Sequence, residues 1–387
     1  MMIEMLKPTS EYLQRIGFTS PGILVNEIQA RANIRNMCEK ARRADAIFRP
    51  HFKTHQSADI GRWFADEGVR AITVSSVAMA EYFAAHGWDD ITIAFLLNPL
   101  EWPRIEELAL ELARRGGQLA LTVDSPAAAA SISARPEVPL KVWIKVDAGY
   151  GRTGVHWQDE TTLKAIVEKL GPSRHPVGLL THSGNSYHAQ SVQEITTIWT
   201  KTRQRLETVA HSLDMAEKLL LSVGDTPSCC SVDNLSGVQE IRPGNFVFFD
   251  LMQWTQGVCQ THELAAAAVC PVVGMYPEQG RIVVHGGAVH LSREFLNGMN
   301  GEPVFGYLGT LQVQDDGSTS QQILEDLPVT SLSQEHGTIE FSSGSYEQYF
   351  NEMSIGDLVL IWPVHSCLTC DLASEFRNMS GTVLTKK

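Results

Sequence analysis

The sequence predicts an α/β protein: a (β/α)8 barrel of the TIM type, followed by a C-terminal, mostly antiparallel β domain. Three observations carry this reading. From about residue 23 to residue 250, short apolar runs alternate with longer amphipathic stretches, the pattern of repeated βα units on a parallel sheet. About eight such units fit in that span, which is the count and length of a barrel. After Asp250 the helical stretches give way to strands punctuated by Gly, Asp and Asn, as in antiparallel sheets.

Taken in order, ILVNEI, AITVSS, ITIAFL, LALTV, KVWIKV, VGLLTH and LLLSVG are the barrel strand candidates. ARANIRNMCEKARRAD and SVAMAEYFAAHG lie between them with apolar residues three and four apart, as core-facing helices need. The barrel is assigned to residues 23–250 and the β domain to residues 251–387, with residues 1–22 expected to pack with the β domain. DDGSTSQQ is expected to be an exposed turn or loop within that domain.

Composition limits the function classes. With 43% hydrophobic and 19% charged residues the chain can bury a large core. Its 44 acidic against 31 basic residues give a formal charge of −13, which disfavours nucleic acid and anionic membrane as partners. The start, MMIEMLKPTSEYLQ, lacks the basic and apolar regions of a signal peptide, so the expected location is cytoplasmic. Seven scattered cysteines do not read as a disulfide framework and suit small buried hydrophobes.

In a βα barrel, residues just after the strands converge on one mouth. That rule collects Lys53 and His55 in RPHFKTH, Asp147 and Arg152 in KVDAGYGRTGV, and His182, Asn185 and Tyr187 in THSGNSYH. It adds Gly224 to Ser228 in VGDTPSC, and Arg242, Gly244 and Asn245 in EIRPGNFVFFD. VGDTPSC and RPGN suit an anion through backbone N–H groups and hydroxyls, although each taken alone also reads as an ordinary strand-to-helix turn. A lysine beside a phosphate site can form a Schiff base, the combination that pyridoxal 5′-phosphate needs; the competing reading of a single KTH lysine is a solvated side chain.

RPHFKTH, DAGYGRTGV, THSGNSY, VGDTPSC, EIRPGNFVFFD, SQEHG and PVHSC occur in order over nearly the whole chain. In these motifs the sequence resembles the fold-type III pyridoxal-phosphate enzymes, built like alanine racemase, and within them the D-threonine aldolase and eukaryotic-type D-serine dehydratase group. The resemblance implies that Lys53 is the Schiff-base lysine and that Tyr187, Gly224, Thr226, Gly244 and Asn245 surround the phosphate. By the same resemblance Arg152 and His182 line the cofactor pocket, and Arg242 stands against the pyridine nitrogen and keeps it unprotonated. His55, His182 and His188 are acid/base candidates, each with a structural alternative.

PVHSCLTCD places His365 and Cys367 two apart after an apolar run. On an extended segment that spacing puts both side chains on one face, and imidazole with thiolate favours zinc. A buried His beside a small Cys is the competing reading of the residues. In the resembling family the pair binds the catalytic metal, Zn²⁺ or another divalent ion such as Mn²⁺. Glu335 and His336 in SQEHG suit either a substrate-facing element or a surface turn. The implied activity is dehydration of a small D-3-hydroxy amino acid (D-serine, D-threonine or D-threo-3-hydroxyaspartate) to a 2-oxo acid and ammonia by a homodimer. Retro-aldol cleavage of the D-threonine aldolase type is the alternative; a racemase and a non-catalytic cofactor carrier are weaker ones.

Overall fold

The computed structural model describes residues 5–172, 174–298, 301–314, 319–341 and 346–387. The core of the DDGSTSQQ stretch, residues 315–318, lies outside them. The chain forms two compact units, one of residues 34–246 with Lys387 and one of residues 1–33 with 247–386.

The first unit is the barrel. Eight strands, Ile47–Phe48, Ala71–Val74, Asp90–Leu96, Gln118–Val123, Leu140–Asp147, Gly178–Thr181, Leu220–Val223 and Glu240–Ile241, pair in parallel around it. Ile47–Phe48 pairs with Glu240–Ile241, and a parallel bridge between His51 and Thr73 brings the two ends of the sheet together. The helices between the strands start on side-chain caps: Ser57, Ser76, Ser125, Ser191 and Asp225 each accept a first-turn backbone N–H, replacing partners the helix cannot supply itself. Inside the barrel Ala120, Trp143 and Leu180 pack together. Gly178 is required there, since a Cβ would lie 2.5 Å from the Trp143 ring and 2.0 Å from Leu220 O.

The second unit is built on a closed antiparallel ring. Ala266–Tyr276, Arg281–His285, His336–Glu340, Thr319–Leu332, Gly306–Val313 and Leu358–Pro363 pair in that order, and the last returns to the first. Closure removes the open edges that would otherwise invite pairing with another chain. The helix Leu6–Arg15 lies on this ring: Leu358 N donates to Ser10 Oγ at 2.9 Å, Leu311 N to Thr9 Oγ1 at 3.0 Å, and Lys7 pairs with Asp357 at 2.9 Å.

The barrel does not begin at residue 23. Gly22–Val25, the ILV of the first strand candidate, pairs antiparallel with Val269–Ala266 and parallel with Phe376–Asn378 in the β sheet of the second unit. A four-residue apolar run states that a strand is buried, not which sheet buries it. The barrel's actual first and last strands, IF and EI, have two residues each and carry no periodicity to read.

Candidate active site

The carboxyl ends of the barrel strands bring most of the expected residues together. Lys53 sits in the turn after Ile47–Phe48, with an exposed side chain. His182 directly follows Gly178–Thr181, Gly224 follows Leu220–Val223, and Arg242 follows Glu240–Ile241.

Charge is unbalanced at this mouth. Lys53, Arg242, His182 and Lys145 all bear electrostatically on His51, whose pKa burial and these neighbours hold well below the ordinary imidazole range. His182 is pushed down to about 3, first by burial and then by Lys53, Arg152 and Arg242, against the opposing hydrogen bond to Gly224. Both rings are therefore neutral near pH 7. Since Gly224 O can only accept, His182 Nδ1 carries the proton in that bond, leaving Nε2 as a bare acceptor.

Lys145 was not among the sequence candidates. It lies near the end of Leu140–Asp147, is 7% exposed, and donates to Ala94 O at 3.3 Å. Burial first, then Arg242 and Arg152, pulls its ammonium down to about 8, with Asp124 alone opposing. A lysine inside the apolar run LKVWIKVD was the available signal.

Arg242 is held from below. Nε donates to Ser222 Oγ at 2.6 Å and Nη2 to Thr181 O at 2.5 Å, and Ser222 Oγ donates to Glu240 Oε1 at 2.6 Å. Glu240 also accepts from Arg49 Nε at 2.6 Å. Burial lowers the Arg242 guanidinium to about 10, with Glu240 opposing, so it stays a cation.

The turn expected to hold an anion draws on the VGDTPSC, THSGNSYH and RPGN motifs. Asp225 Oδ1 accepts from Ser228 N and from Ser186 Oγ, both at 2.8 Å. Thr226 N donates to the Tyr187 hydroxyl at 3.2 Å, and Phe246 N to Thr226 Oγ1 at 3.3 Å. Asn245 is buried beside it. Gly244 and Gly224 serve the protein's own packing: a Cβ would lie 2.7 Å from His51 O at the first and 2.9 Å from Arg242 Cβ at the second. Arg152 stands over the Tyr150 ring at 5.4 Å in a loop folded around Asp147, whose Oδ1 accepts from the N–H groups of Gly149, Tyr150 and Gly151 at 2.8, 2.9 and 3.0 Å. Asp147 is thus the loop's anchor.

The structure places His55, an acid/base candidate of the sequence, in an aromatic cluster. Its ring packs on Phe52 at 4.5 Å and stacks on Phe64 at 5.7 Å, and it is 1% exposed. Ser57 N donates to its Nδ1 at 3.1 Å, while Nε2 is buried without a partner. Burial holds it at about 3. Two residues past Lys53 in a turn, the chain has swung the side chain into an aromatic cluster. His188 is exposed.

The premise for the metal pair also changes. His365 is extended (φ −132°, ψ 100°), but Ser366–Leu372 is helical, so His365 caps a helix whose second residue is Cys367. The helix start is anchored by Asp250, whose Oδ2 accepts from Ser366 N at 2.9 Å and whose Oδ1 accepts from Gln253 N at 3.0 Å. Asp250 therefore ties the end of EIRPGNFVFFD to PVHSC within one unit. Cys370 is fully buried, and burial drives its thiol well above the ordinary range. It is an inert core thiol.

These residues fit a phosphorylated aldehyde cofactor. Four cations surround two neutral imidazoles, with Asp124 opposing at Lys145 and Glu240 and Asp225 at Arg242, an exposed lysine stands among them, and Ser228 Oγ in the neighbouring turn is buried without a hydrogen-bond partner. His365 and Cys367 offer an N,S donor set of the kind that suits zinc.

Comparison with known proteins agrees. Residues 25–251 match the alanine racemase N-terminal domain and residues 265–377 a putative serine dehydratase domain. The chain is 30% identical to the D-threo-3-hydroxyaspartate dehydratase of Delftia sp. (strain HT23), over 90% of this chain and 91% of that protein. It is 26% identical to the D-serine dehydratase of Dictyostelium discoideum over 92% of each. A metal-free cysteine-to-alanine mutant of D-threo-3-hydroxyaspartate dehydratase superposes with a TM-score of 0.85 at 28% identity, covering 96% of this chain and 98% of that one. The chain belongs to the fold-type III pyridoxal-phosphate enzymes, with an alanine racemase N-terminal domain joined to a serine dehydratase domain.

Proposed function

We propose that this protein is a pyridoxal-phosphate- and zinc-dependent lyase that dehydrates a small D-3-hydroxy amino acid to a 2-oxo acid and ammonia. The observation that carries the reading is the gathering of Lys53, Lys145, Arg152 and Arg242 around the neutral rings of His51 and His182 at the barrel mouth. When bound, pyridoxal phosphate supplies a carbonyl that condenses with amines and an electron sink for a carbanion at Cα, and a divalent metal supplies a Lewis acid for a departing hydroxyl.

The chain's own residues do the rest. Lys53 Nζ is the amine that would hold the cofactor and, when free, would take the α-proton. Tyr187, Gly224, Thr226, Gly244 and Asn245 shape the phosphate turn, and the cationic mouth attracts both anionic phosphate and substrate carboxylate. Arg242, a permanent cation at the mouth, would disfavour protonation of a cofactor ring nitrogen placed against it. His365 and Cys367 are the residues that would hold the metal. A relative's cysteine-to-alanine mutant exists in a metal-free form, which favours a metal in this group of enzymes. A cytoplasmic homodimer is part of the same proposal; no helix among the described residues is long and apolar enough to cross a membrane.

The test is incubation of the holoenzyme with D-serine, D-threonine, D-threo-3-hydroxyaspartate and their L-forms, with 2-oxo acid, ammonia and glycine measured in parallel. A 2-oxo acid with equimolar ammonia from a D-substrate, lost in Lys53→Ala and on chelation, is the expected result. Glycine with an aldehyde would make the enzyme an aldolase and overturn the reading.

A further inference from the structure

SQEHG is the one motif the proposed reaction leaves unused, and the structure places it against a second histidine-bearing stretch. His285 ends the strand Arg281–His285 and stands in antiparallel register with His336, so Glu335 lies just beyond the paired positions. The chain then turns through Gly286 and Gly287 into the short helix Ala288–Leu291, which carries His290. One ligand atom from each of His285, His290 and Glu335 lies within 4.8 Å of the other two.

The backbone holding these residues is fixed before any ligand arrives. Gly286 N donates to Glu335 O at 2.9 Å, Ala288 N to Ser333 O at 2.8 Å, and Ser333 N to His336 O at 2.8 Å. Gly287 admits no side chain, since a Cβ would lie 2.4 Å from Gln334 O. The three side chains are therefore presented by two segments locked face to face, which is the preorganisation a metal site needs.

The distances do not describe a satisfied ion-pair cluster. His285 Nε2 and His290 Nε2 stand 3.6 and 3.9 Å from the same Glu335 oxygen, too far for hydrogen bonds. The two rings lie 5.1 Å apart at 88°. Pairing both with one carboxylate would set two imidazolium ions side by side, which their mutual repulsion opposes. His290 Nδ1 is buried without a hydrogen-bond partner, so the ring's other nitrogen has no stronger contact to compensate. A point equidistant from the three atoms lies about 2.0–2.4 Å from each, the range in which zinc holds imidazole nitrogen and carboxylate oxygen.

We propose that His285, His290 and Glu335 bind a second divalent metal ion of the zinc class, separate from the His365 and Cys367 pair. Two imidazoles and one carboxylate favour a borderline transition ion over Ca²⁺ or Mg²⁺. With side chains 42%, 21% and 46% exposed, the fourth position is open to water. Among the described residues, neither His365 nor Cys367 joins a third such ligand. The site clips the end of one strand, the turn before the next and a short helix into one piece. That helix is in turn bonded to the Cys367 helix, where Thr369 Oγ1 donates to Leu291 O at 3.1 Å.

The experiment is zinc stoichiometry by elemental mass spectrometry on the purified holoenzyme after removal of free metal, together with competition titration against a chromogenic chelator. The variants are Glu335→Gln, which keeps the shape, His285→Ala/Glu335→Gln, and Cys367→Ser. Two equivalents in the wild type are expected, falling to one in the double variant with the cofactor's visible absorbance retained. Glu335→Gln should bind one zinc at least about tenfold more weakly, as loss of one ligand implies, and the zinc-induced rise in melting temperature should shrink with it. Cys367→Ser should retain one equivalent. If Cys367→Ser strips all the metal, or the double variant keeps the wild-type stoichiometry and affinity, the site does not exist. If the wild type binds one zinc that the double variant loses and Cys367→Ser keeps, this site stands and the metal role assigned to His365 and Cys367 fails.

Discussion

Replacing Lys145 by methionine should stabilise the cofactor-free enzyme and weaken its hold on the cofactor. The ammonium is 7% exposed and is pulled from 10.5 down to about 8 by burial and by Arg242 and Arg152. Because the folded value lies below the unfolded one, the folded state binds the proton less tightly. Below pH 8 both states are protonated and folding bears the whole cost, on the order of 3 kcal/mol at 1.36 kcal/mol per tenfold change in proton affinity. Between pH 8 and 10.5 the unfolded chain holds more protons, so this group makes stability rise with pH. Above 10.5 its contribution is gone.

Lys145→Met removes the ionisable group and keeps most of the volume. Denaturant midpoints of wild type and variant, both stripped of cofactor, would be compared at half-unit steps from pH 7 to 10.5. The variant should be more stable at pH 7 by about 2–3 kcal/mol, and the two curves should converge by pH 10.5. Its affinity for pyridoxal phosphate should fall at least about tenfold, since a cation facing an anion is lost. Curves that run parallel over the whole range would show that Lys145 is not held in a penalised state and would refute the reasoning.

Two further outcomes follow from the site's construction. His55→Leu should leave kcat within about twofold of wild type and shift stability by no more than about 2 kcal/mol, because a buried, unpartnered Nε2 is removed while Ser57 N loses its acceptor; a hundredfold loss of kcat in a folded variant would restore a catalytic role to His55. Asp250→Ala should lower stability by about 2 kcal/mol, two caps at roughly 1 kcal/mol each, and weaken the metal held by His365 and Cys367 by about tenfold. Zinc titration and thermal unfolding check it, and unchanged zinc affinity would show that the helix start is held by other contacts.

The sequence places many of the candidate residues at the mouth because a barrel converts chain order into geometry: a polar residue directly after an apolar run arrives there. Lys53, His182, Gly224 and Arg242 obey this rule. His55 departs from it because a residue two positions into a turn points wherever the turn directs it, and here that direction is toward Phe52 and Phe64. Lys145 escaped because it lies inside its strand, where alternation hides which face a lone lysine occupies. His365 and Cys367 are singled out by their spacing alone, and the extended geometry assumed for them gives way to a helix after one residue.

By itself the sequence determined the barrel, the antiparallel domain behind it and the chemistry of the mouth, since these depend on local periodicity and on residue types beside strand ends. The tertiary structure alone decided where the first strand goes. Gly22–Val25 is apolar and four residues long, which specifies burial, while its place between Ala266–Tyr276 and Phe376–Asn378 depends on partners more than two hundred residues away. It likewise decided that His285, His290 and Glu335 meet, because a ligand set drawn from two segments exists only once antiparallel register brings them side by side.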